Sequence, residues 1–161
     1  MKNRILVIDD EAAIRDSLRM ILEYENYEFA GASNGQDGLA QIQRERPDLV
    51  LLDIKMPAMD GMEVLRKIKT VDETLPVVMI SGHGTTATAV EAIRSGAIDF
   101  LDKPLSSERV IVTIQNTLSQ SQLRKENREL KLAMESRYEI VGSSPALRRV
   151  LEAVQRAAPT N

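Results

Sequence analysis

The sequence contains no cysteine, so neither disulfides nor thiolate metal sites are open to it, and a reducing cytoplasm is the expected compartment. Histidine occurs once, as His83 between two glycines. With no second imidazole to partner it, His83 is read as an exposed loop residue and not as a ligand or phosphodonor. Long apolar runs are missing too. No stretch approaches the roughly 20 residues that cross a bilayer. Ile5 to Ile8 runs directly into Asp9-Asp10 and is too short for the apolar segment of a signal peptide. A soluble protein with no membrane partner is expected. Nor is there an excess of positive charge. Residues 1–105 carry 12 Lys+Arg against 18 Asp+Glu, and residues 106–161 carry 9 against 6. Neither part is basic enough for a nucleic-acid surface, so no direct DNA contact by this chain is expected.

What remains is a chain of 161 residues, 43% hydrophobic, long enough to bury one full core and carry an appendage. Its organising stretch is Val50-Leu51-Leu52-Asp53-Ile54-Lys55-Met56-Pro57. Val50 to Leu52 lack polar alternation, the pattern of a strand buried on both faces in a parallel sheet. Asp53 falls at the end of that strand, and Pro57 and Gly61 predict a loop after it.

The rest alternates strand and helix. Ile5–Ile8, Glu28–Ala32, Leu49–Asp53, Pro76–Ile80 and Ala97–Leu101 read as five strands. Between them, Ile14, Leu18, Ile21 and Leu22 recur at helical spacing. Leu39 and Ile42 mark a helix that stops before Pro47, Met62, Leu65 and Ile68 mark another, and Ala89, Val90 and Ile93 a fourth that Gly96 closes. A last helix starts near Ser106 or Ser107, either of which can cap it. Five β-α units with short connections predict an α/β fold, a doubly wound parallel sheet with right-handed crossovers. Thr85-Thr86-Ala87-Thr88 opens the fourth helix with poor helix formers, which lowers its stability and predicts that this helix is the one that moves on activation.

Five polar residues stand at carboxyl ends of these strands, on the edge where open α/β sheets place their ligands. Asp9 and Asp10 follow the first strand, Asp53 ends the third, Ser81 follows the fourth and Lys103 the fifth. Carboxylates brought together repel, and an oxygen-only set suits a hard divalent cation such as Mg²⁺. A fixed ammonium and a hydroxyl beside them are the parts that stabilise a phosphoryl group in line with an attacking oxygen. Asp53 is then the nucleophile that becomes an aspartyl phosphate. Singly, each residue has an ordinary alternative. Asp9, Asp10 and Glu11 can cap a helix and complement its dipole, a cap being worth about 0.5–2 kcal/mol. Asp53 can begin a turn, Ser81 can cap the next helix, and Lys103 before Pro104 can be a solvated loop lysine. Joint placement at the ends of four strands favours the chemical reading.

Ile5-Leu-Val-Ile-Asp9-Asp10-Glu11, Leu51-Leu-Asp53-Ile-Lys-Met-Pro57, Met59-Asp-Gly61, Val78-Met-Ile-Ser81-Gly-His-Gly84 and Gly96-Ala-Ile-Asp-Phe100-Leu-Asp-Lys103-Pro104 resemble the receiver domain of bacterial two-component response regulators. The resemblance covers residues 3 to about 120. It implies a flavodoxin-like (CheY-like) five-stranded sheet in the order 2-1-3-4-5, which sets the first and third strands side by side and brings three carboxylates to one crevice. It implies that Asp53 accepts a phosphoryl group from a sensor histidine kinase. Asp10, Asp53 and the backbone carbonyl of Lys55 would hold Mg²⁺, with Asp9 acting at one remove or through a water. Lys103 would pair with the phosphoryl oxygens across a Lys103-Pro104 bond that is usually cis. Ser81 would move onto the phosphoryl group, and Phe100 would be the aromatic switch. Phe100 stands where tyrosine is frequent, so such a switch works by packing alone, and Ser81 keeps the hydroxyl of the commoner threonine.

Beyond Thr117 the pattern changes. Leu123, Asn127, Leu130 and Met134 keep a 4-3-4 spacing, read as the seam of a short parallel coiled coil, with Glu126 and Lys131 flanking it and Asn127 setting register. A homodimer through this segment is expected. Tyr138-Glu-Ile-Val-Gly142 then leads to Ser143-Ser144-Pro145, a helix start, with an apolar stripe of Leu147, Val150, Leu151 and Val154. This segment resembles the opening of the AAA+ ATPase domain of NtrC-type, sigma-54-dependent activators. No G-x-x-x-x-G-K-[ST] occurs, so ATP binding is not implied here. The expected organisation is a receiver over 1–120, a helical linker over 121–137 and the start of an AAA+ domain over 138–161. In a longer protein that domain would meet sigma-54 RNA polymerase holoenzyme and DNA. The resemblance implies a phosphoacceptor switch and not a turnover enzyme. An Mg²⁺-dependent phosphatase with an aspartate nucleophile is the alternative, but that class wants a second carboxylate two residues after the nucleophile, where Lys55 stands. A flavodoxin-like nucleotide module is a third reading. Its phosphate loop would be Gly- or Ser-rich, whereas Asp-Asp-Glu follows the first strand.

Overall fold

The computed structural model describes residues 1–142 together with Arg149, Glu152, Ala153 and Arg156. The predicted helix start at 143–145 and the stripe of Leu147, Val150, Leu151 and Val154 lie outside the described residues. The elements run β1 (Arg4–Ile8), α1 (Ala12–Tyr24), β2 (Glu28–Ala32), α2 (Gly35–Arg44), β3 (Leu49–Asp53), α3 (Gly61–Val71), β4 (Val77–Ser81), α4 (Thr86–Arg94), β5 (Asp99–Asp102) and α5 (Ser107–Gly142). They form two compact units, residues 1–121 and 122–161.

In the first unit all five strands are parallel, in the order β2-β1-β3-β4-β5. Successive side chains of a strand point to opposite faces, so an apolar run fills two cores at once. Leu6, Ile8, Val50, Leu52, Val77 and Met79 face one way and meet Ile42 of α2, Leu65 and Ile68 of α3 and Ala92 of α4. Ile5, Val7, Leu49, Leu51, Val78 and Ile80 face the other way and meet Leu18 and Leu22 of α1 and Val110 and Ile114 of α5. That double burial explains why the sequence shows no polar alternation in β1, β3 and β4. Each fully buried aliphatic side chain contributes about 1.5–3 kcal/mol.

The caps explain the boundaries. Asn34, Asp60 and Thr85 each accept the backbone N–H three residues on, from Asp37, Glu63 and Thr88, and so start α2, α3 and α4. At α5 the choice between two serines resolves to Ser106, whose Oγ accepts from Arg109 N–H at 3.2 Å. β5 begins two residues later than its apolar pattern predicts. Gly96, at φ +108°, ends α4, and its N–H donates to Ile93 while Ala97 N–H donates to Ala92. Ala97 is thus held by the helix end and cannot join the sheet.

The second unit holds the later part of α5. The helix continues through Gly142, where the sequence pattern suggests a fresh start at Tyr138. No proline or glycine interrupts residues 107–141, so nothing breaks the backbone ladder. Leu123 and Leu130 are 65% exposed and Met134 71%. Gln122 donates to Glu126 at 3.1 Å, one turn along the helix. Among the described residues no helix is long and apolar enough to cross a membrane.

Candidate functional site

Register carries the polar residues to one edge. Ile8 pairs with Leu52 and Asp53 with Ile80, so Asp9 and Asp53 lie level at the ends of neighbouring strands. Ser81 pairs with Asp102, which sets Lys103 one residue past the end of β5. Lys103 Nζ lies 3.2 Å from Asp9 Oδ2, 3.2 Å from Glu11 Oε1 and 3.6 Å from Asp53 Oδ1. The Lys103-Pro104 peptide bond is cis.

Asp9 is fully buried and held at three points. Its N–H donates to Ala32 in β2, its carbonyl accepts from Arg15 at 2.7 Å, and its Oδ1 accepts from Glu11 N–H at 2.9 Å. Oδ2 faces the Lys103 ammonium at 3.2 Å and has no other partner. A buried carboxylate oxygen costs free energy unless a cation meets it. Asp10 is exposed beside it. One ligand oxygen from each of Asp9, Asp10 and Asp53 falls within 4.8 Å of the other two.

The electrostatics agree. Burial, reinforced by the Asp9 and Asp10 charges and opposed by Lys103, pushes Asp53 up to about 6. Burial also raises Asp9, against the pull of the Glu11 N–H and of Lys103. Burial alone would lower Lys103, but Asp53 and Asp9 beside it raise it, so the ammonium stays charged. Three carboxylates that share one ammonium and offer only oxygen donors fit a hard divalent cation and suit no soft one. The residues present therefore fit an ion of the Mg²⁺ kind.

The remaining predicted residues take varied positions. Ser81 is buried at the end of β4, its Oγ accepting from His83 N–H at 3.3 Å. Phe100 is half-buried across Gly84, where an added Cβ would lie 2.5 Å from Phe100 Cζ and 3.4 Å from Ser81 Cβ. The ring thus has room only because residue 84 is glycine. Lys55 is exposed in the loop after β3, and His83 is exposed. Leu123, Asn127, Leu130 and Met134 belong to the second unit and are exposed there.

Three residues escape sequence reasoning. Arg15 fixes the Asp9 carbonyl, and Glu11 reaches Lys103 across 92 residues. Gly61 packs so closely on the Asp53 carbonyl that no side chain fits, while its N–H donates to Ile54 at 2.7 Å. The only signal was Gly61's place after Met59-Asp60, which says turn but not contact.

A five-stranded parallel sheet with acidic residues at the ends of β1 and β3 and an invading lysine from β5 defines a class. Residues 5–115 match the response regulator receiver domain, and the chain belongs to that family of two-component phosphoacceptor switches. It is 40% identical over 163 residues to the nitrogen assimilation regulatory protein NtrX of Azorhizobium caulinodans, covering 100% of this chain and 36% of that protein. The crystal structure of NtrX from Brucella abortus superposes with a TM-score of 0.78 at 41% identity, over 99% of this chain and 36% of that one. A receiver domain protein from Methanospirillum hungatei superposes at 0.74 with 33% identity, over 77% and 99%. The chain spans about a third of the length of the curated relatives it matches.

Proposed function

We propose that Asp53 is the phosphoacceptor and that a sensor histidine kinase supplies the phosphoryl group. The observation that carries this is the convergence on Asp53, buried at the end of β3, of one ammonium and two further carboxylates. Ionised Asp53 attacks phosphorus, its Oδ–P bond forms, and the bond to the donor breaks with the electron pair leaving on the donor atom. Lys103 sits where it can pair with the phosphoryl oxygens. The Ser81 hydroxyl, on the neighbouring strand, accepts from His83 N–H and moves to donate its own O–H to the bound group. Phe100 then follows by packing. Asp10, Asp53 and the Lys55 carbonyl would hold Mg²⁺, with Asp9 supporting it, and the ion would supply positive charge to the phosphoryl oxygens. Any self-phosphorylation from small donors and self-dephosphorylation belong to the same site. Lys55, where a phosphatase of this chemistry needs a carboxylate, speaks against hydrolytic turnover.

The relatives' greater length supports a reading of the chain as the regulatory portion of a cytoplasmic sigma-54-dependent transcription activator. Residues 1–120 are then the receiver, 121–137 a linker that dimerises through Leu123, Asn127, Leu130 and Met134, and 138–161 the opening of an ATPase domain. A seam of exposed leucines on a proline-free helix supports the dimer. Sedimentation at micromolar concentration should find dimer, and a strict monomer contradicts it.

The phosphoacceptor reading is tested by incubation with acetyl phosphate and Mg²⁺. The expected result is an intact-mass gain of one phosphoryl group that hydroxylamine removes and that Asp53→Ala lacks. An unlabelled wild type, or a labelled Asp53→Ala, contradicts it.

A further inference from the structure

We propose that Glu11 is an internal anion that holds Lys103 in the resting site and yields it to the incoming phosphoryl group. The proposal rests on Asp53 being the acceptor. Lys103 has three N–H donors and three carboxylates around it: Asp9 at 3.2 Å, Glu11 at 3.2 Å and Asp53 at 3.6 Å. Of these contacts only the one to Glu11 is a well-directed hydrogen bond. An arriving phosphoryl oxygen therefore competes with these carboxylates for the ammonium.

The three differ in what displacement costs. Asp9 is fully buried and fastened through its backbone and Oδ1, so it cannot leave. Asp53 is the attacking group. The Glu11 side chain is 60% exposed, and water takes up its carboxylate when it swings away. Glu11 is also free of the duty its position suggests. It is the N-cap residue of α1, yet its side chain makes no capping hydrogen bond and reaches instead to the β5–α5 connection. Its charge is thus set against the anionic donor at the one place where Lys103 must attract it, and it lies outside the group of three oxygens that can hold a metal.

Glu11 acts here as a positioning residue that slows entry into the phosphorylated state. Glu11→Gln keeps the shape and removes the charge. With saturating Mg²⁺ at low ionic strength, the initial rate of Asp53 labelling by acetyl phosphate should rise about threefold, the scale of one exposed ion pair. The gain should shrink towards unity near 1 M salt, where the screening length is about 3 Å. It should also be smaller with phosphoramidate, which carries less negative charge than acetyl phosphate. Loosening of the fold would not sort donors by charge. A rate in Glu11→Gln equal to or below wild type, or a gain indifferent to salt and donor charge, overturns the proposal while wild-type labelling leaves the phosphoacceptor reading standing. Absence of wild-type labelling overturns that reading instead.

Discussion

α3 and α4 pack on the same face of the sheet and are held there very differently. α3 buries Gly61, Met62, Val64, Leu65 and Ile68 in eleven residues, whereas α4 buries only Ala92 in nine and leaves Val90 and Ile93 exposed. α3 starts with Gly61 wedged against the Asp53 carbonyl, so the acidic side of the site is built on the firm helix. α4 follows Ser81 through the exposed Gly82-His83-Gly84 loop, so the hydroxyl and the Phe100 ring border the loose one. The proposed chemistry, which needs fixed carboxylates, and the proposed switch, which needs motion, thus fall on different parts of one sheet edge.

The largest effect should come from emptying the firm side. Leu65→Ala is expected to cost about 2–5 kcal/mol by urea unfolding, and Ile93→Ala, 48% exposed, well under about 1 kcal/mol. Equal losses would erase the contrast. Next comes pH. Asp53 is raised in the fold, so it contributes stability that is fully present below its unfolded value near 3.8 and lost as pH rises through about 6. Metal-free protein should therefore gain on the order of 2 kcal/mol on acidification from pH 7 to pH 4 relative to Asp53→Asn. Asp72 runs the other way. Partial burial would raise it, but hydrogen bonds from Arg46 and Thr74 together hold it below the usual range, so its contribution is present at neutral pH and lost on strong acidification. A pH profile of wild type matching that of Asp53→Asn would remove the electrostatic account.

Amide exchange sharpens the contrast further. Addition of a phosphate mimic with Mg²⁺ should change protection in α4 and leave α3 nearly unchanged, and similar protection of α4 with and without it argues against α4 as the mobile helix. A smaller effect than those of Leu65 and Asp53 lies in the loop before α3. Ala58 holds φ +68°, a left-handed conformation that glycine adopts freely. Ala58→Gly should stabilise the protein by about 1 kcal/mol, read as a shifted urea midpoint.

Much of this was legible in the residues. Strands buried on both faces announce themselves as unbroken apolar runs, and Asp9, Asp53, Ser81 and Lys103 were visible as polar residues stopping those runs. What could not be read is what depends on side-chain reach across the sheet. Arg15 meeting a carbonyl, and Glu11 sharing Lys103, leave no periodic trace in the sequence. The late start of β5 was hidden because Ala97 is apolar and buried in either role, and only the backbone bonds at the end of α4 decide between them. The continuation of α5 through Gly142 was obscured because the stripe of Leu123, Asn127, Leu130 and Met134 meets a charged residue, Arg137, at its next position.

The most direct test of the central claim is to locate the phosphoryl group. Protein labelled with acetyl phosphate and Mg²⁺, reduced with borohydride to trap the acyl phosphate and mapped by tandem mass spectrometry, should carry the modification at Asp53 alone. Modification at Asp9 or Asp10, or at none of the three, would contradict it.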